Sequence, residues 1–428
     1  MNKLIAIEIG NLGTTITGKT PSSNNPEDFG SEYMFITPSD SFDDKMIFKT
    51  NRYLSEVGIN KLKNKVLPPK SVLVSCIGSA MGKIIMNHSS AISNQQINSI
   101  IINRSFDSDY IYYNLKNNYK LLRNAAAGST ALPMLNKTDF DKLVINIHKD
   151  LKDQQKISSV LSALDSKIEL NNRINAELEA MAKTLYDYWF VQFDFPIYNQ
   201  DGTLSGAEGY KTSGGTMIWN EELKRKIPEG WEDGTFENYC PSTGGFAFKS
   251  NWWTSEGVAV AKIKDIKENY TLDTSDLARI DMSDKEIDDK FLAKAGDVLI
   301  AMTGATVGKY AIVPITDYPI YVNQRVGYFS LGKDPTNLLP FLINSMNQSY
   351  FRYAIFTLAN GAAQPNISNN QINSIQLLMP DKKLIEQYNE MFKPYYKKII
   401  NNQLENHKLT ELRDWLLPML MNGQVKVN

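Results

Sequence analysis

Two glycine loops are the residues of this chain whose types and spacing most invite a chemical reading. In Val72-Leu-Val-Ser-Cys-Ile-Gly78-Ser-Ala-Met-Gly82-Lys83 a strand-like run meets a Gly-x-x-x-Gly-Lys sequence, and Val298-Leu-Ile-Ala-Met-Thr-Gly304-Ala-Thr-Val-Gly308-Lys309 repeats it. Glycine lets backbone N–H groups approach a phosphate, and a neighbouring lysine supplies charge. The pattern is one residue shorter than the loop that cradles nucleotide phosphates, and Ile84 or Tyr310 stands where a Mg²⁺-binding hydroxyl is needed. Each loop is flanked by strand-like runs and opens no helix. Nucleotide hydrolysis is therefore set aside in favour of a tight β-turn, with a phosphate contact as its functional extension.

Other enzymatic readings fare no better. The three histidines, His88, His148 and His407, have no counterpart in the other repeat. Cys76 lies near His88, but Met302 replaces it in the second copy, so a thiol nucleophile would be private to one half. No Cys/His spacing suggests a metal site, no dinucleotide fingerprint follows a strand, and the acidic run Asp281 to Asp289 reads as a solvated face. What recurs is polar, basic and amide-bearing. Asn94-Gln95 answers to Asn323-Gln324, beside Lys83, Lys309, Arg325 and Gln364. These side-chain types read base edges and hold phosphates.

The elements that must position them are themselves duplicated, at a displacement of roughly 230 residues, too long for a solenoid unit. Gly128-Ser-Thr-Ala-Leu-Pro133 answers to Gly361-Ala-Ala-Gln-Pro-Asn366, and each precedes a short apolar strand and a long helix. Two copies of a whole domain plus its helix imply pseudo-twofold symmetry and a target in two parts. Residues 1–149 read as an α/β or α+β domain, 150–192 as a long helix, and 193–230 as a Gly, Ser and Asn-rich linker. Residues 231–380, opened by Pro228-Glu-Gly-Trp231, form the second domain, and 381–428 the second helix and tail.

Asp150 and Asp381 are the expected N-caps. From Asp150 to about Phe190 there is no Gly or Pro, and the apolar stripe Leu161, Leu164, Ile168, Asn171, Asn175, Leu178, Ala182, Leu185 steps by three and four. Each position returns 231 residues later as Phe392, Tyr395, Ile399, Asn402, Asn406, Leu409, Arg413, Leu416. This is a coiled-coil seam. Pro394 is expected to kink the second helix or delay its start. An Asn-rich sequence drops Asn anywhere, yet both stripes break at the same two successive positions. Two buried Asn pairs select one register and orientation, and the repeat makes the simplest pairing antiparallel, with the domains at opposite ends.

The globular, helix, globular, helix order resembles the specificity subunit of type I restriction-modification enzymes. The likeness lies in the strand-GxxxGK loops, in Gly361-Ala-Ala-Gln-Pro-Asn-Ile-Ser368 and in Leu185-Tyr-Asp-Tyr-Trp-Phe-Val-Gln-Phe193. It extends to Leu409-Thr-Glu-Leu-Arg-Asp-Trp-Leu-Leu-Pro-Met-Leu-Met-Asn-Gly423 and covers essentially the whole chain. The first repeat lacks the Pro-Glu-Gly-Trp opening, and its Gly128 segment lacks the usual glutamine. The resemblance implies an α+β chain with two target recognition domains, each reading half of a split double-stranded DNA sequence, held apart by two helices in an antiparallel coiled coil. Lys19, Lys83, Asn94, Gln95, Lys262, Lys309, Asn323, Gln324, Arg325 and Gln364 would then touch DNA. It also implies no catalytic activity, no cofactor and no metal in this chain. Two methylation subunits would bind S-adenosylmethionine, and motor-nuclease subunits would bind ATP and Mg²⁺.

Composition agrees with a soluble, multi-core protein. The 428 residues are 42% hydrophobic with a net charge of −1, so polyanion binding must come from local patches. Cys76 and Cys240 occupy non-equivalent places, which argues against a disulfide framework and for a reducing compartment. No signal peptide or bilayer-spanning run is legible, and a cytoplasmic protein is expected. The competing readings are a coiled-coil scaffold that binds only proteins, and an enzyme using Cys76.

Overall fold

The computed structural model describes residues 4–42, 44–125, 134–196, 210–211, 215–267, 270–284, 286–359 and 364–427. The chain divides into two compact units, Met1–Glu169 with Lys408–Asn428, and Leu170–His407. Both are mixed α+β.

In the first unit, strand Leu4–Glu8 pairs antiparallel with Val144–His148, Ile5 opposite Ile147, which closes the domain just before its long helix. A five-stranded sheet runs in the order Gly13–Thr17, Ile97–Ile102, Val72–Ser75, Ile84–Asn87, Met46–Ile47. A four-stranded sheet holds Phe29–Gly30, Arg52–Leu54, Tyr33–Ile36 and Ala91–Ser93, the last two parallel. Side chains alternate across a strand, so one strand serves two cores. Val72, Val74, Ile84 and Met86 pack with Tyr110 and Ile111 of helix Ser108–Asn117, while Leu73, Ile85 and Ile97 pack with Met34 and Ile36.

The second unit repeats this plan. Glu232–Thr235 pairs with Gln376–Met379. One sheet orders Ser242–Gly244, Val326–Phe329, Val298–Ala301 and Tyr310–Ile312; in the other, Val258–Ala261 lies parallel to Ile320–Val322. Val298 and Ile300 face the core of Phe341 and Phe351, and Leu299 and Ala301 face the opposite one. The stretch expected as a linker forms secondary structure among its described residues. Met217–Asn220 forms a hairpin with Arg225–Pro228, and the Phe193 and Phe195 rings lie 5.5 and 4.8 Å from the Trp231 ring. Phe193 and Phe195 dock on the domain core despite the polar composition around them.

The first long helix spans Leu151–Tyr186, and the Asp150 carboxylate caps it by accepting from Lys152 N at 2.7 Å. It continues into a π-helical turn at Asp187–Val191 that delivers Trp189 and Phe190 into the second unit's core. The second helix spans Lys382–Met421, with Asp381 accepting from Lys383 N at 2.7 Å. Contrary to expectation, Pro394 neither delays this helix nor interrupts it. Pro394 and Glu390, whose carbonyl the proline cannot bond, are both exposed, so water can satisfy the freed acceptor.

Within the second unit the helices are antiparallel. Asn171 Nδ2 donates to Asn406 Oδ1 at 2.9 Å, Asn402 Nδ2 donates to Asn175 Oδ1 at 2.7 Å, and Tyr388 donates to the Ala182 carbonyl at 2.8 Å. Each Asn pair is the repeat image of the other. Leu161, Phe392 and Ile399 are buried, whereas Leu164, Ile168, Leu178, Leu185, Tyr395, Leu409 and Leu416 are half-buried. Buried Ile157, Tyr388, Tyr396, Leu417 and Leu420 widen the stripe, because each helix also covers a globular domain. In the first unit Arg413 Nη1 meets Asp165 Oδ1 at 2.8 Å, and Tyr113 donates to the same carboxylate at 2.5 Å.

Replacing Asn402 alone by leucine strands the Asn175 amide in an apolar seam and should cost about 1–3 kcal/mol. Changing Asn171, Asn175, Asn402 and Asn406 together to leucine should instead raise the melting temperature while broadening the range of associated species. Thermal melting with light-scattering chromatography checks both. A quadruple variant that melts below the single one would refute the seam role.

Candidate nucleic-acid interface

The two glycine loops are the tight turns that their spacing predicts. Between Val74 and its partner Ile84, Gly82 N donates to the Ser75 carbonyl at 2.8 Å and Ser75 N to the Lys83 carbonyl at 2.9 Å. In the second unit Gly308 N reaches Ala301 O at 2.9 Å and Ala301 N reaches Lys309 O at 2.7 Å. Gly78, Gly82, Gly304 and Gly308 have φ of 73°, 82°, 78° and 83°, a region that penalises any side chain. The loops open no helix, only one 3₁₀ turn each, Gly78–Ala80 and Gly304–Thr306. Lys83 is exposed and Lys309 half-buried.

The paired Asn-Gln sequences are fastened beside these loops. Cys76 N donates to the Gln96 carbonyl at 2.8 Å, and Met302 N to the Arg325 carbonyl at 3.1 Å. Glycine makes the approach of a third strand feasible. A Cβ on Gly18 would stand 2.1 Å from Ser93 O, and one on Gly245 2.3 Å from Val322 O. Lys19, next in sequence, is exposed and donates its N–H to Ser93 O at 2.9 Å. Gln95, Gln324 and Arg325 are exposed, and Thr20 Oγ1 donates to Gln95 Oε1 at 2.6 Å.

Asn94, expected among the DNA contacts, has a different task. It is buried; its Oδ1 accepts from Gln96 N at 3.1 Å and its Nδ2 donates to Gln96 Oε1 at 3.2 Å. Asn323 Oδ1 likewise accepts from Arg325 N at 3.3 Å. These amides shape the turn, and the glutamines and arginine that follow them point outward.

The third repeated motif reaches the same rim. Gly304 N donates to Pro365 O at 2.9 Å and Ile367 N to Met302 O at 2.9 Å, which places exposed Gln364 close by. In the first unit Leu135 N donates to Cys76 O at 2.9 Å. The segments Gly128–Pro133 and Gly361–Ala363 lie outside the described residues.

Lys262 follows Ala261, whose carbonyl accepts from Asn323 N at 3.1 Å. Its ammonium lies 3.4 Å from the Trp253 ring centroid, and burial holds its pKa below the usual lysine value. Sequence reasoning missed the braces under this rim. Asp265 Oδ2 accepts from Lys262 N at 2.8 Å, and Asp40 Oδ2 accepts from Thr37 N at 2.7 Å. Both carboxylates are buried, and the Asp four residues after each strand end was their legible signal. Gln96, counterpart of Arg325, was also missed.

Cys76 is a poor nucleophile, since burial pushes its thiol up to about 11. Among the described residues no group of three or more His, Cys, Asp or Glu could hold a metal ion, and no helix is long and apolar enough to cross a membrane.

Two α+β repeats that each gather glycine loop and amide turn on one rim define a two-reader DNA-recognition protein. The chain belongs to the family described as type I restriction modification DNA specificity domain, whose sequence model matches residues 5–180 and 228–412. It is 23% identical over 430 residues to the type I restriction enzyme MjaIX specificity subunit of Methanocaldococcus jannaschii, covering 98% of this chain and 93% of that one. It is 26% identical over 354 residues to the HindI specificity subunit of Haemophilus influenzae, covering 72% and 74%. The fold is similar to that of the type I restriction-modification S subunit from M. genitalium, with TM-score 0.53 and 14% identity over 98% of this chain and 96% of that one.

Gly245→Ala should destabilise the second unit by several times the roughly 1–2 kcal/mol expected of Gly304→Ala. The first drives a Cβ into a backbone carbonyl, whereas Gly304 has positive φ but open space around it. Urea unfolding of the two variants checks the order.

Proposed function

We propose that this protein is the DNA-recognition subunit of a type I restriction-modification complex, each repeat reading one half of a bipartite double-stranded site. The observation that carries this reading is the convergence, in each unit separately, of the GxxxGK hairpin and Asn-Gln turn on one rim through equivalent backbone hydrogen bonds. Exposed lysines there suit phosphates, and Gln95, Gln324 and Arg325 suit base edges. The chain itself uses no cofactor. S-adenosylmethionine belongs to the methylation partner, and ATP with Mg²⁺ to the motor-nuclease partner.

Two methylation subunits fit the long helices. Met181 and Leu412 are repeat-equivalent and 54% and 43% exposed, and Tyr188, 47% exposed, answers to half-buried Met419. Apolar side chains presented at equivalent places on both helices suit two copies of one partner. The helices also set the unread spacer. A 36-residue helix is about 54 Å long at roughly 1.5 Å per residue.

Exchanging residues 231–380 for the corresponding domain of another family member should change one half of the methylated sequence and leave the other intact. Methylome sequencing reads the result, and a change in both halves would sink the two-reader model. Lys83→Ala should weaken cognate and non-cognate binding alike and reduce the salt slope by about one. Mobility-shift titrations at several salt concentrations measure it; a loss confined to one base position would reassign Lys83 to base readout.

A further inference from the structure

Beside Lys309 the second unit holds a cleft of about 360 Å³, within the usual range for small-ligand sites. Its walls are largely aromatic and aliphatic. Tyr270 and Tyr310 stack there with ring centroids 4.8 Å apart and planes 18° apart. Three cations line the cleft, Lys267, Lys309 and Arg352, and no carboxylate does so among the described residues.

Three observations set this cleft apart from ordinary packing. Tyr270 has φ of 59°, a costly conformation for a β-carbon-bearing residue. Phe356, on the cleft wall, is 66% exposed, and only Tyr353, one turn away on the same helix, exceeds it among the large apolar side chains described, at 72%. The repeat does not need this arrangement to fold. In the first unit the backbone place of Tyr270 is taken by Lys45, whose carbonyl accepts from Met86 N as Tyr270 O accepts from Ile312 N. Ile84 there replaces Tyr310, and Lys45 pairs with Asp109 at 2.5 Å. The tyrosine stack and the exposed phenylalanine are thus private to one repeat.

We propose that this cleft binds a nucleoside monophosphate unit, the base lying against the aromatic wall and the phosphate held by Lys309 and Arg352. Aromatic faces interleaved with cations hold nucleotides by stacking and charge without demanding a particular base. The unit could be a nucleotide of DNA passing the glycine loop, in which case the inference rests on the DNA-reading function above, or a free nucleotide. The chemistry is the same.

The test titrates the full-length protein with 2′-deoxyadenosine 5′-monophosphate by saturation-transfer NMR and calorimetry, with deoxyadenosine and inorganic phosphate as half-ligands. Saturable binding is expected, at least tenfold weaker for either half-ligand. Arg352→Gln and Phe356→Ser, both at exposed positions, should each weaken it at least tenfold with an unchanged melting temperature. A second arm measures binding of the complex with its methylation subunit to its recognised duplex. Weakened DNA binding in both variants identifies the DNA-borne source; unchanged DNA binding alongside retained mononucleotide binding by the wild type identifies the free one. No saturable mononucleotide binding by the wild type, or binding indifferent to both substitutions, overturns the proposal. Because the first arm contains no DNA, its failure leaves DNA reading standing, and loss of DNA binding by the wild type would not touch it.

Discussion

Everything in this chain hangs on two helices meeting in one register, and the interaction that selects the register is a pair of amide contacts, one buried and one half-buried. A buried amide loses its hydration and regains it only against another polar group. Asn171 finds Asn406 and Glu405, and Asn175 finds Asn402. Sliding one helix by a heptad would set these amides against Leu164, Ile168, Tyr395 and Ile399 in one direction, and against Leu178, Ala182, Leu409 and Arg413 in the other. The arrangement is not optimal for stability, since Asn402 Oδ1 has no hydrogen-bond partner. A half-satisfied amide suits a device that specifies pairing more than one that strengthens it.

The same helices complete the cores of the domains, by different chemistry in the two repeats. In the first unit a hydroxyl on the domain helix, Tyr113, bonds a carboxylate on the long helix, Asp165, which Arg413 neutralises. At the equivalent place in the second unit the hydroxyl sits on the long helix: Asn344 Nδ2 donates to Tyr396 Oη at 3.1 Å, and Ala182 stands in the place of Arg413. Both solutions leave the buried polar groups partnered. Divergence therefore ran through paired changes, as expected where an uncompensated buried charge costs several kcal/mol (about 3–5).

On the reading side a common scaffold carries different surfaces. The close approach at Gly18 and Gly245, the Asp40 and Asp265 braces, and the hydrogen bonds tying turn to hairpin recur in both units. Some of the side chains they present do not recur: exposed Lys19 stands where the second unit has Phe246, and half-buried Gln96 where it has exposed Arg325. A rigid backbone with variable side chains lets the two halves read different sequences.

The sequence by itself determined the duplication, the strands that meet the glycine loops, both helix caps and the four seam asparagines. Each is a local pattern or a repeat of one, and period and spacing survive in one dimension. It misjudged Pro394, whose effect depends on whether the freed carbonyl meets water, and the 193–230 stretch, where a few aromatic rings outweigh a polar composition. Which candidate contacts face outward was decided only by tertiary structure. Asn94 and Gln95 are neighbours of similar chemistry, yet the fold turns one into the hairpin and the other to solvent. The stack of Tyr270 on Tyr310 across forty residues of sequence exists because strands distant in the chain are hydrogen-bonded neighbours in space, and no local pattern encodes that.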